Sequence, residues 1–105
     1  MNHIKLEKMS RLEPMYSKVQ KYIEDINHIT ENQFGRSVEL KTIFLKKYKD
    51  IHECSTEEDY RRVASEMDNC FLEALHCYSI RVNMPENCES FEAIIDQLIT
   101  EERQK

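Results

Sequence analysis

The sequence contains a single glycine, two prolines and no tryptophan among its 105 residues. So little glycine leaves no material for the tight turns of barrels and sandwiches, or for phosphate-cradling loops. Long hydrophobic runs are missing too. No more than three apolar residues follow one another, as in Ile43-Phe44-Leu45, whereas a bilayer span needs roughly 20. Residues 1–15 alternate charged and apolar side chains and show no signal-peptide core, so an intracellular protein, cytoplasmic or nuclear, is expected. Positive charge is also short: 15 Lys and Arg stand against 20 Asp and Glu, a net charge of −5. Nonspecific nucleic-acid binding begins with phosphate neutralisation and is disfavoured by that balance.

What is present is helical patterning. Apolar residues at Met9, Leu12, Tyr16, Val19, Ile23 and Ile26 step by threes and fours, and a parallel row at Met15, Tyr22 and Ile29 widens the stripe. That is the face of a helix packing on more than one neighbour. Pro14 disfavours helix at the residue before it and suits a first turn, so a main helix is predicted over 14–33, ending near Gly35, with residues 1–13 as a short helix or arm. Ser37 is expected to cap a second helix over 37–52, with Leu40, Ile43, Phe44, Tyr48 and Ile51 inward and Lys41, Lys46, Lys47 and Lys49 outward. Ser55-Thr56-Glu57-Glu58 reads as a capping box opening a third helix over 56–83. From Cys70 to Val82, nine of its thirteen residues are apolar and occupy nearly the whole circumference. Such a stretch is expected to be buried on all sides, by the fold or by a partner. Pro85 stops it, and Asn87 or Ser90 can cap a fourth helix over 87–102 with Phe91, Ile94, Ile95, Leu98 and Ile99 on one face. The fold expected is all-α: one domain spanning 1–105, a compact four-helix bundle with the third helix at its centre.

Charge divides unevenly. Residues 1–52 carry ten basic and seven acidic side chains, a balance of +3; residues 53–105 carry five and thirteen, a balance of −8. The asymmetry either steers a basic partner toward the second half or draws the two halves together.

Candidate chemistry is thin. Cys54, Cys70, Cys77 and Cys88 are even in number, but no secretory context supports a disulfide framework. Cys70 and Cys77 would stand about 10 Å apart along one helix, too far to bridge, so reduced thiols are expected. With His52 and His76 these cysteines could build a metal or redox site, yet neither CxxC nor HxxxH spacing occurs. Glu73 and His76 match the Glu-x-x-His of a di-metal bundle once, without the second pair such a site needs. Adjacent His76 and Cys77 project about 100° apart on a helix, which does not suit a nucleophile and its base. No enzyme activity, cofactor or metal is expected. The lysines of the second helix, near Phe44 and Tyr48, give a nucleic-acid-associated regulator as a further alternative.

The function expected is a non-catalytic protein–protein interaction module: a small adaptor, chaperone-like subunit or inhibitor of a larger protein. Its partner would be another protein or a second copy, not a membrane. A chain of this size has little interior to spare, so two apolar rows on one helix either leave surplus face for a partner or are both buried by the bundle itself. Met15, Tyr22 and Ile29 are the candidate partner-binding residues, because Tyr and Met are enriched at interface cores.

Overall fold

The computed structural model describes residues 3–30 and 35–105, and in it the apolar periodicity winds into four helices. These are α1 (Glu13–Thr30), α2 (Arg36–His52), α3 (Glu57–Tyr78) and α4 (Phe91–Arg103), with a 3-10 turn at Met9–Leu12 leading directly into α1. Pro14 lies in the first turn of α1, where its missing N–H costs no hydrogen bond. Residues 3–8 form an extended arm. No strand occurs among the described residues, only one antiparallel bridge between His3 and Thr56.

Cross-helix contacts fix the direction of each helix. Between α1 and α2, Tyr16 stacks on Tyr48 with ring centroids 3.8 Å apart, Glu24 pairs with Lys41, and the Asn27 amide donates to the Ser37 carbonyl. Position rises along one helix as it falls along the other, so the pair is antiparallel. The Lys47–Glu66 and Arg36–Glu73 pairs run α2 against α3 the same way. Asp68 at the start of α4, then Arg61–Asp96 and Glu57–Arg103, do so for α3 and α4. The α3 helix therefore sits between α2 and α4, and the bundle measures 47 × 25 × 19 Å. Its interior is filled by Leu12, Ile23, Phe44, Tyr60, Met67, Phe91 and Ile95, all fully buried. Each such side chain contributes about 1.5–3 kcal/mol of transfer free energy.

Charge ties the halves of the chain together. Arg11 and Lys8 reach Glu101, Arg36 reaches Glu73, Lys47 reaches Glu66, and Lys105 reaches Glu7. In four of these five the cation comes from residues 1–52 and the anion from residues 53–105. Part of the charge asymmetry is thus used inside the molecule.

Several boundaries differ from the sequence reading. The predicted end of the first helix at residue 33 lies outside the described residues. Gly35 is the extended N-cap of α2, with φ −93°, and Ser37 is buried in the first turn instead of capping. The cap of α3 is Thr56 rather than Ser55: its hydroxyl accepts from the Asp59 N–H at 3.2 Å. Ser55 is occupied otherwise, giving its carbonyl to the Ile4 N–H. Ser90 caps α4 by accepting from the Ala93 N–H at 3.0 Å, while Asn87 takes a left-handed turn conformation with φ 56°, which asparagine tolerates.

The third helix stops at Tyr78, five residues early. The N–H groups of Arg81 and Val82 both turn back to the Tyr78 carbonyl at 3.0 Å, and Val82 enters the core from this turn. The expected burial on all sides does not occur. Cys70, Phe71, Ala74 and Val82 are buried, whereas Leu72, His76, Cys77 and Ile80 face outward.

Candidate interaction surface

The row nominated on the first helix divides. Met15 and Tyr22 are buried in the bundle, Tyr22 edge-on against Phe71 with ring centroids 6.0 Å apart. The Tyr22 hydroxyl is enclosed without a hydrogen-bond partner among the described residues, and burial pushes its pKa up. Ile29, two turns further on, is exposed. Periodicity predicted a shared face for these three residues, and the bundle covers that face only over its first two members, Phe71 of α3 meeting Tyr22. Met15 and Tyr22 are thus largely enclosed, Tyr22 reaching the surface only as part of the lining of a cleft.

Ile29 has company, however. The large hydrophobic side chains exposed among the described residues are Ile29 (54%), Leu72 (59%), Met84 (55%) and Ile80 (100%). All lie toward one end of the bundle. That end is built from the C-terminal turns of α1 and α3, the start of α2, and the α3–α4 connection. The bidentate Arg36–Glu73 pair, at 2.6 and 2.9 Å, fastens the start of α2 beside Leu72. A cleft of about 260 Å³ separates the connection from α1; Lys21 and Asp25 line one wall, Asn83, Pro85 and Glu86 the other. Lys18 bridges it by donating to the Asn87 carbonyl at 2.9 Å. Ile29 is one turn beyond Asp25, and Met84 lies between two wall residues.

The turn at 79–82 gives this end its character. With α3 ended at Tyr78, Val82 can fold back into the core, and Ile80 is left on the outside of the turn with Arg81 beside it. Scattered surface hydrophobes are ordinary; a group of four large ones toward one end, with the polar residues of the cleft as a rim, is less so. The rim carries both signs: Lys18, Lys21 and Arg81 against Asp25 and Glu86. The sequence reading named Leu72 and Ile80 only as part of a buried stretch and passed over Met84. Its one usable signal was that stretch's excess of apolar residues.

The other candidates are dispersed. His52 and Cys54 lie at the far end of α2, while His76 and Cys77 lie near the end of α3, about 30 Å away at 1.5 Å per residue. Among the described residues, no three or more histidine, cysteine or carboxylate side chains are grouped so as to hold a metal ion. All four cysteines are free; Cys54 and Cys70 are buried, Cys77 and Cys88 exposed. Burial pushes the Cys54 and Cys70 thiols up, away from the reactive thiolate. Of the four α2 lysines, Lys41 and Lys47 are engaged by Glu24 and Glu66. No helix among the described residues is long and apolar enough to cross a membrane. Comparison with family models, with curated proteins and with solved structures returned no match.

Proposed function

We propose that this protein is a non-catalytic interaction module, an adaptor, chaperone-like subunit or inhibitor, that docks on another protein through Ile29, Leu72, Ile80 and Met84. The observation that carries this reading is that the large hydrophobes exposed among the described residues all lie toward one end of the bundle, the others being buried or half-buried. An apolar centre within a rim of mixed sign has the composition of a protein–protein contact. A lipid surface or a nucleic acid would call for a large excess of cations at the same place, and Asp25 and Glu86 offset two of the three cations there.

The test compares two forms of the tagged chain. Ile80→Asp combined with Met84→Asp changes only exposed side chains, so the melting temperature should stay within the range of about 0.5 kcal/mol typical of surface substitutions. A stoichiometric partner recovered with the wild-type chain should be depleted at least about tenfold with the double variant, equivalent to about 1.4 kcal/mol. Equal recovery by both forms, with both folded, would overturn the assignment of this surface.

A further inference from the structure

At the opposite end of the bundle the extended arm lies across a trough, and its contacts read as a recognition code. The Ile4 N–H donates to the Ser55 carbonyl at 2.9 Å, pairing the arm with the α2–α3 connection in the manner of an added strand. One residue on, the Lys5 ammonium donates to the carbonyls of His52 and Cys54 at 3.0 and 3.1 Å. These close the C-terminal end of α2, whose partial negative charge selects a cation. The next N–H, that of Leu6, donates to the Tyr60 hydroxyl at 3.3 Å while the Leu6 side chain is buried in the core. Three successive positions are thus read as apolar, basic and apolar.

The arm does not fill the trough. A cleft of about 190 Å³ opens on one side, lined by Leu6, Leu98 and Glu101, and one of about 360 Å³ on the other, lined by Ile4, Glu57 and Glu102. Lifting residues 3–6 would join the two clefts into one groove floored by Tyr60 and Leu98. Glu57, Glu101 and Glu102 line its walls, but Arg103, Lys8 and Lys105 line them too and pair with these carboxylates, so the preference for a basic occupant rests on the His52 and Cys54 carbonyls that Lys5 holds. Leu6 is buried, Ile4 is half-exposed but packs against the core, and beyond Leu6 the arm is fastened by the exposed Lys105–Glu7 pair at 2.6 Å. Such a segment opens locally at far lower cost than the bundle unfolds.

We propose that this groove recognises an extended segment of a partner protein with the pattern apolar–lysine–apolar, and that residues 4–6 occupy it in cis as a displaceable strap. The inference concerns a surface distinct from the exposed apolar end and does not depend on it. The tethered arm competes at high effective concentration, so a free peptide binds the wild-type chain weakly and binds a chain with a weakened arm better.

A fluorescein-labelled peptide of residues 3–8 is titrated into the full-length wild type and into Leu6→Ser and Lys5→Glu variants, with anisotropy as the readout. The variants should bind it at least about tenfold more tightly than wild type. Peptides in which the lysine at position 5 is replaced by glutamate, or the leucine at position 6 by serine, should lose that binding. Lys5→Glu alters an exposed side chain and carries the measurement if Leu6→Ser proves unstable. No saturable binding to a folded variant, equal binding by all three chains, or indifference to the peptide changes would overturn the proposal. A wild-type dimer dissociated by the peptide would assign the groove to a second copy's arm and overturn the partner assignment.

Discussion

The two ends of the bundle are finished in different ways. At the arm end, Leu6 and Cys54 are covered, the last carbonyls of α2 are taken by Lys5, and Glu7, Glu57 and Glu101 are paired with Lys105, Arg103 and Arg11. At the other end Ile29, Leu72, Ile80 and Met84 stand in solvent. Both ends are made by the same helices with the same periodicity, so helix amphipathicity is not what separates them. The difference comes from the segment that leaves each helix. After α2, a short connection lets the arm lie over the end; after α3, a tight turn returns Val82 to the core and leaves its neighbour Ile80 outside.

The sharpest way to break this comparison is along α1, whose second row passes from the covered region to the open one. Tyr22→Ala should cost about 3–4 kcal/mol, in the range for removing a buried aromatic, while Ile29→Ala should stay within about 0.5 kcal/mol. Denaturant melts of both variants measure the contrast, and similar losses would mean that the ends are equally packed. Next in size is thiol chemistry. Cys77 and Cys88 should react with a disulfide reagent about a hundredfold faster than Cys54 and Cys70, which must await an opening of the structure. Mass spectrometry of peptides after a short exposure resolves the four, and a fast Cys54 would show that the arm end is loose.

A smaller effect is expected where α3 governs α4. Asp68 accepts from the N–H groups of Phe91 and Glu92 at 2.7 and 3.0 Å, so Asp68→Ala should lower stability by about 1–2 kcal/mol. That is a fall of roughly 5–12 °C in melting temperature for a domain of this size. An unchanged melt would mean that Ser90 alone suffices to start α4. The least effect is that of acid. Lys105, Arg36 and Arg11 hold the carboxyls of Glu7, Glu73 and Glu101 below their ordinary 4.5. A carboxylate depressed by folding contributes above its unfolded pKa, and the contribution is lost as pH falls through the folded value. Asp68 has the opposite sign, because burial holds its pKa above the ordinary 3.8. The melting temperature should therefore decline only gently from about pH 5 to about pH 3, and more gently still in Glu101→Gln.

The number and order of helices were legible because steps of three and four residues report a helical face directly. The depth at which a face lies was not. Met15, Tyr22 and Ile29 are equivalent by periodicity, yet the first two are buried and the third is exposed. Composition likewise counted nine apolar residues between Cys70 and Val82 without showing that the helix stops among them. Caps were misplaced by one or two residues where neighbouring side chains could serve equally, as at Ser55 and Thr56, of which Thr56 caps. The arm's anchorage leaves no periodic trace, since Leu6 and Tyr60 meet across 54 positions.

Asp68 has a consequence for how this protein can vary. Because a carboxylate on α3 takes the first N–H groups of α4, the start of that helix is set by its neighbour and not by the chain that leads into it. Residues 79–90 are thereby largely relieved of positioning duty, apart from Val82 and the Ser90 cap. Substitutions, and insertions between Asn83 and Glu89, can remodel the outer contour of the molecule while the helices hold their places. The exposed apolar surface at that end can drift without the scaffold being redesigned.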